Sequence, residues 1–474
     1  MNRFGILGLI LLLCLSVQAQ DNDAIYSLQE CLEIAKERNL AYQQVALRQQ
    51  SSEVDLQQAQ AARYPNLNVS PNWSSTFGRA IDPTSNEFAN ERFDAFNVNL
   101  TSNITVYNGF RLQNTLKQRT LDLKAAKKDL EQQEYTLSLN VITAYLNILF
   151  QGEILESARL QVASTTEQRD RIRKLVQSGS LAQADLAQIE SQIATEELQV
   201  VNAQNALELA YLTLQQLMSL DVSASFGIVR PDLPDPEMSY VLTPSDEIYA
   251  MATNNYPDLD AAQLRLSSAQ VGVDIAKSNY YPTLTFGVNA FSAWSGIREQ
   301  PVGTEEISES VSVEFLGDRE TLTFFRNAPV FGAYPFFSQI TDNVNLGLGV
   351  RLDIPIYNRN FAKASVDRAN ILVQQSQVSV QLAEQQLQQA VEQAYLDARN
   401  AYSSYSAILK QVDALDLTFQ NVERQFELGA SNSVDFLVAK NNLNRAKFDR
   451  VRSKFDYIFR VKILDFYQGK PIDF

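Results

Sequence analysis

The sequence contains no histidine. That excludes imidazole as a general acid or base, histidine-activated nucleophiles and histidine-ligated metals. Cysteine is nearly absent too, with only Cys14 and Cys31. Cys14 falls in a leader expected to be removed. A single remaining thiol builds neither an intrachain disulfide nor a zinc site of the four-cysteine or two-cysteine, two-histidine kind. No Gly-rich phosphate loop, nucleophile elbow or metal-ligand cluster is present. No catalytic, cofactor-binding or metal residue is therefore assigned, and a hydrolase built on paired carboxylates finds no support. Positive charge is in deficit, with 40 Lys+Arg against 55 Asp+Glu and a formal net charge of −15. This balance argues against a nucleic-acid partner, which requires a basic face. Long hydrophobic runs are also missing. The apolar stretch at 4–17 is shorter than the roughly 20 residues a helix needs to cross a bilayer. A chain of this kind that meets a membrane after export must do so without helices.

What is present begins with a secretion signal over residues 1–19. Arg3 supplies the basic end, 4–17 the apolar stretch, and Val17-Gln18-Ala19 a small-residue cleavage site before Gln20. A lipoprotein signal needs a small residue before its cysteine, and Leu13 precedes Cys14.

The rest of the chain is a duplication. At an offset of 217, Ala35 pairs with Ala252, Leu47 with Leu264, Arg48 with Arg265, and Tyr64-Pro65 with Tyr281-Pro282. At an offset of 250, Tyr107-Asn108 pairs with Tyr357-Asn358, Tyr145-Leu146 with Tyr395-Leu396, Gly179 with Gly429, and Asp185 with Asp435. The change of offset marks an insertion of about 33 residues between Pro282 and Tyr357. Prolines at 231, 234, 236 and 244 mark the boundary, giving repeats over 20–230 and 231–474 of one elongated body.

Each repeat carries two periodicities. Segment 359–428 has neither Gly nor Pro, and 110–177 has only Gly152. Long helices are predicted at about 109–177, 181–220, 359–428 and 432–467, with shorter ones at 27–63 and 245–280 that end at Pro65 and Pro282. About 70 helical residues span roughly 100 Å. Such helices must pack along their length, either as coiled-coil hairpins or as a plain solid bundle. Glycine marks each hairpin tip, Gly179 with Ser180 and Gly429 with Ala430. Strands of about ten residues are predicted at 66–77, 95–106, 283–294 and 344–356. One face is apolar (Val344, Leu346, Leu348, Val350, Leu352) and the other polar and mostly uncharged; 283–294 slips phase near Phe291. A soluble half-buried sheet shows the same alternation. Strand length, the small uncharged face and aromatics near the ends favour a transmembrane β-barrel. Four strands cannot close one, so the barrel must be shared between chains: two give eight strands, three give 12. Segments 78–95 and 295–343 are expected as external loops.

These features resemble the TolC family of outer-membrane efflux channels over essentially the whole mature chain. The resemblance rests on the duplicated helix–strand–strand–helix plan. Arg63-Tyr64-Pro65 and Tyr280-Tyr281-Pro282 enter strands, and Tyr107-Asn108-Gly109 and Tyr357-Asn358-Arg359 leave them. Each tip glycine has an aspartate, Asp185 or Asp435, six residues beyond. The resemblance implies a mixed α and β membrane protein. It implies a homotrimer with a 12-stranded barrel in the bacterial outer membrane, continued by a periplasmic barrel of 12 helices. It further implies a tip closed like an iris and docked by a periplasmic adaptor (membrane fusion) protein and an inner-membrane transporter. The chain would then be the passive exit duct of a tripartite efflux or type I secretion system, with the lipid bilayer as surroundings. The absence of His and the four Met weigh against a dedicated metal exporter. A secreted trimeric coiled-coil or adhesin-like protein is the alternative, and it accounts for the helices but not for the strands or the duplication.

By the same resemblance, Asp185 and Asp435 form an anionic constriction at the periplasmic entrance. Each would equally serve as a helix N-terminal carboxylate, and Asn432-x-x-Asp435 resembles a capping box. Ser431 stands where well-known members carry Arg, and Val438 where a second Asp is expected, so their tip-locking salt bridge is not assumed here. Gly179, Ser180, Gly429 and Ala430 are candidate adaptor contacts, or plain helix terminators. Val176 and Phe426, three residues before each glycine, are candidate pore-side apolar plugs, or plain packing residues. Tyr64, Pro65, Tyr107, Asn108, Tyr281, Pro282, Tyr357 and Asn358 mark the helix–strand junctions.

Overall fold

The computed structural model describes residues 24–81, 86, 88–90, 92–221, 226–231, 243–254, 256–315 and 318–470. The expected leader, its cleavage point and two of the boundary prolines, Pro234 and Pro236, lie outside the described residues. In chain order the elements are β1 (Ala24–Tyr26), α1 (Leu28–Arg38), α2 (Leu40–Ala61), β2 (Asn68–Thr76), β3 (Ala80–Ile81), β4 (Phe88–Ala89), β5 (Phe93–Tyr107), α3 (Arg111–Gln177) and α4 (Gln183–Leu217). There follow β6 (Phe226–Ile228), α5 (Ser245–Thr253), α6 (Pro257–Lys277), β7 (Thr283–Ser295), β8 (Glu299–Phe315), β9 (Asp318–Ala333), α7 (Phe336–Asp342), β10 (Asn345–Asp353), α8 (Phe361–Glu427) and α9 (Ser433–Tyr467).

The duplication is metrically close. Helices α3 and α8 have 67 residues each, and α4 and α9 have 35 each. The shorter helices differ from expectation because each is broken once. Asn39 is extended and its side chain caps the next turn at Tyr42, separating α1 from α2. Pro257 opens α6, a position where its missing N–H costs nothing.

Contacts divide the chain into two units. The first comprises the described residues of Met1–Ser52, Asp122–Leu266 and Gln375–Phe474. It holds two apolar cores that are copies of one another. Cys31, Ala35, Leu137, Val141, Ala144 and Leu214 are buried in one; Ile248, Ala252, Leu387, Val391, Ala394 and Leu464 are buried in the other. The first two pairs sit at the offset of 217 and the other four at 250. The repeat seen in the sequence is thus a repeat of core positions, where burial limits what can change. Strands β1 and β6 pair in parallel at the edge of the first core.

The second unit, Glu53–Leu121 and Ser267–Gln374, holds a four-stranded antiparallel sheet in the order β10-β7-β5-β2. Its apolar face carries Val69 and Trp73, then Leu100 and Phe96, then Ala290 and Trp294, then Leu346 through Leu352 at every second residue. The polar face carries asparagines and threonines. Phe291 is an apolar residue on that polar face, opposite Asn99 and Asn345. The apparent phase slip is therefore a substitution in an unbroken ladder; the irregularity in register lies instead at Thr105/Tyr107.

The described residues of 295–343, expected as a loop, form regular elements. Strands β8 and β9 form a long antiparallel hairpin that accounts for the insertion, and α7 follows it. Gln339 on α7 is fully buried and bonds both backbone groups of Ser295 at 3.0 Å, which fastens α7 to the end of β7. Pro301, Gly303 and the pair Glu305-Glu306 break the alternation of β8, which explains its loop-like sequence.

The strand-to-helix junctions are built alike in both repeats. Gly109 and Phe110, and their equivalents Arg359 and Asn360, all have positive φ, turning the chain sharply from strand to helix. Asn108 and Asn358 accept from the N–H groups of Leu112 and Ala362, satisfying free donors in the first turns of α3 and α8. A Cβ on Gly109 would lie 2.8 Å from Cβ of Tyr281, so the Tyr281-Pro282 entry packs directly on the exit at Gly109.

Candidate functional site

The tips of the two helical hairpins gather most of the residues singled out by the sequence. Both α3 and α8 end in a Schellman arrangement. Ser180 N–H donates to Leu175 O (2.9 Å) and Gly179 N–H to Val176 O (3.0 Å); Ala430 N–H donates to Gln425 O (2.8 Å) and Gly429 N–H to Phe426 O (3.0 Å). Gly179 (φ +78) and Gly429 (φ +72) occupy the left-handed position this turn requires. Gly179, Ser180, Gly429 and Ala430 are all exposed.

Asp185 and Asp435 stand at the third position of α4 and α9. Their detail differs. Asn432 accepts from Asp435 N–H (2.8 Å) and donates its side-chain amide to the Asp435 carboxylate (2.9 Å). The equivalent of Asn432 in the first repeat is Ala182, which has no such group. Asp185 accepts from the Ala182 N–H (3.0 Å), and its other oxygen accepts from the Ser433 hydroxyl of α9. Loss of one cap side chain thus frees one carboxylate to tie the two hairpins together. Asp435 remains exposed and Asp185 is half-buried.

Beneath the aspartates lies one apolar cluster shared by both hairpins. Ile172, Leu186, Ile189, Phe436 and Leu437 are buried in it, with Val176, Leu181, Phe419, Val422 and Phe426 packed around them. Phe426 stacks on Phe436 with ring centroids 4.9 Å apart. Val176 and Phe426 are thus half-buried in the contact between hairpins, and their side chains are engaged there. The exposed ion pairs Arg171–Glu427 (3.3 Å) and Arg173–Glu190 (3.4 Å) flank the cluster and add little.

The junction residues lie in the other unit, where Tyr64, Tyr281 and Tyr357 are exposed. Sequence reasoning overlooked Ser433, and also Glu196 and Lys440, both buried. A signal for the latter two existed: Glu196 continues the apolar spacing of Ile189 and Ile193, and Lys440 lies between Phe436/Leu437 and Leu443.

The family model described as outer membrane efflux protein matches residues 31–219 and 248–454, one stretch in each repeat. The chain belongs to the outer membrane efflux protein family. Among its relatives, the pyoverdine export outer membrane protein OpmQ of Pseudomonas putida is 24% identical over 393 residues, 78% of this chain and 69% of OpmQ. The outer membrane protein TolC of Escherichia coli is 20% identical over 351 residues, covering 73% of this chain and 63% of TolC. The solved structure of CusC superposes with a TM-score of 0.73 at 17% identity, covering 94% of this chain and 92% of CusC. Membership in this efflux family places the chain in the outer membrane, in a family of channels and not of enzymes. No described helix is long and apolar enough to cross a membrane.

Proposed function

We propose that this chain is the exit duct of a tripartite efflux or type I secretion system, working as a homotrimer. The observation that carries the reading is the sheet β10-β7-β5-β2. Among the described residues, β2 and β10 each pair on one side only, and the apolar face is exposed along β10, with Leu348 at 76%. Lipid tolerates no unsatisfied strand edge, so each edge must pair with another copy. Three copies supply 12 strands around an aqueous lumen lined by the asparagine-rich face. The helical hairpins extend into the periplasm, where the exposed tip residues Gly179, Ser180, Gly429 and Ala430 meet a periplasmic adaptor that links them to an inner-membrane transporter.

Three copies of Asp185 and Asp435 form the anionic constriction at the entrance. Carboxylates crowded by symmetry attract cations and oppose anions. The duct itself performs no chemistry. The test is conductance of the purified mature protein in a planar bilayer, beside the Asp185→Ala/Asp435→Ala double variant. Cation-selective steps that grow, or lose their selectivity, in the variant are expected. Absence of steps from both proteins despite confirmed insertion overturns the reading.

A further inference from the structure

A polar layer crosses the interior of the helical unit just behind the tip cluster. On α9, Lys440 is 3% exposed, and its Nζ donates to Thr165 Oγ1 (2.9 Å) and Gln168 Oε1 (2.8 Å) on α3. On α4, Glu196 is 2% exposed; its Oε1 accepts from Gln161 and Gln192, both at 2.9 Å, while its Oε2 has no partner. Asn444 Nδ2, one turn along α9 from Lys440, is likewise buried without a partner. Two carboxylates face Lys440, Glu196 from α4 and Glu423 from α8, while the α3 groups that bond it, Thr165 and Gln168, are uncharged. Among the described residues neither carboxylate closes to an ion pair with it.

This arrangement holds a neutral amine better than an ammonium. A neutral amine keeps two N–H donors, enough for Thr165 and Gln168. An ammonium brings a third N–H and a full charge into a site where no carboxylate touches it, a costly burial. The layer also joins the two hairpins, since Lys440 belongs to one and Thr165 and Gln168 to the other. Water entering between the hairpins would hydrate both the charge and the unpartnered Glu196 oxygen.

We propose that Lys440 is a proton-coupled latch between the two hairpins: the closed packing selects its neutral amine, and parted hairpins select its ammonium. The latch rests on reading the tips as a gate. Its direction follows from linkage. Burial pushes Lys440 from 10.5 down to about 8. Parting therefore takes up a proton between those values, so alkaline pH holds the hairpins together and neutral pH loosens them. Over the full window the parted-to-closed ratio changes by at most about 300-fold.

The test uses the full mature chain with nitroxides at Ser178→Cys and Leu428→Cys, one on each tip, spin-diluted with unlabelled chain. Buried Cys31 stays unlabelled, its thiol pushed up to about 12 by burial. Pulsed electron-spin distances and bilayer conductance are recorded in parallel from pH 7 to 10. The parted fraction of the wild type is expected to fall as pH rises. Lys440→Met is expected to stay closed at every pH, and Lys440→Arg to stay parted across the range. Lys440→Gln stands in if the Met variant fails to fold. A pH-linked distance change lost in Lys440→Met, with no conductance in either protein, supports the latch and overturns the duct. Conductance with distances that ignore pH, or a wild-type pH response retained in Lys440→Met, overturns the latch and leaves the duct intact.

Discussion

The carboxylate of Asp185 accepts a hydrogen bond from the hydroxyl of Ser433, the first residue of the other repeat's second long helix. The equivalent bond, from Gln183 to Asp435, is replaced by Asn432 clasping Asp435 within its own helix. Two aspartates that are identical by repeat are therefore held differently: one carboxylate joins the hairpins, the other is clasped by Asn432 at the start of its own helix. Ser433→Ala is expected to weaken the closed tip by about 1–2 kcal/mol, less than the full worth of a hydrogen bond to a charged group because Asp185 is only half-buried. That raises open probability by about 5- to 30-fold in single-channel records. An unchanged open probability would show that the bond does not hold the tip.

Asn432→Ala removes the cap of α9 and is expected to cost about 0.5–2 kcal/mol, read as faster amide exchange in residues 433–437. The reverse change, Ala182→Asn, supplies the missing cap to α4 and competes with Ser433 for Asp185. It is expected to protect the start of α4 while loosening the tip. The two readouts moving together would contradict this division of roles.

Phe426 and Val176 distinguish packing from plugging. Phe426→Ala removes a ring stacked on Phe436, and about 3 kcal/mol is an upper bound for this half-buried site. Denaturant midpoint and conductance should shift together, since the side chain packs into the apolar cluster that both hairpins share. A rise in conductance with no loss of stability would instead mark a plug standing free in the pore.

The stability of the helical unit should depend on pH through Lys440. Its value is depressed from 10.5 to about 8 in the folded chain. The unfolded chain then binds more protons between pH 8 and 10.5, and stability rises with pH over that window. Below pH 8 the cost of burying the charge is fully present. Lys440→Met should raise the melting temperature at pH 7 and flatten the slope above pH 8. A slope that survives in the Met variant would assign it to another group.

Cys31 is fully buried in the first core, and burial pushes its thiol up to about 12. No reaction with a thiol-specific disulfide reagent is expected at pH 8 in the native protein, and stoichiometric reaction after denaturation. Rapid native labelling would mean that the packing of α1 opens readily.

What the sequence determined by itself was whatever depends on near neighbours. Helices α3 and α8 are legible because 67 residues without proline, and with Gly152 as the one glycine in α3, propagate one hydrogen bond at a time, and they stop where Gly179 and Gly429 can take a left-handed turn. The strands of the sheet are legible because alternation has a period of two, and even Phe291 disturbed the pattern without moving the register. The duplication is legible because buried positions such as Val141 and Val391 tolerate little change. Only tertiary structure decided which side chains meet across 250 residues of chain. That Asp185 finds Ser433, that Lys440 is buried against Thr165, and that Gln192 meets Asn441 are choices among distant partners. Local propensity does not rank such choices, because their energy exists only once the elements are packed together.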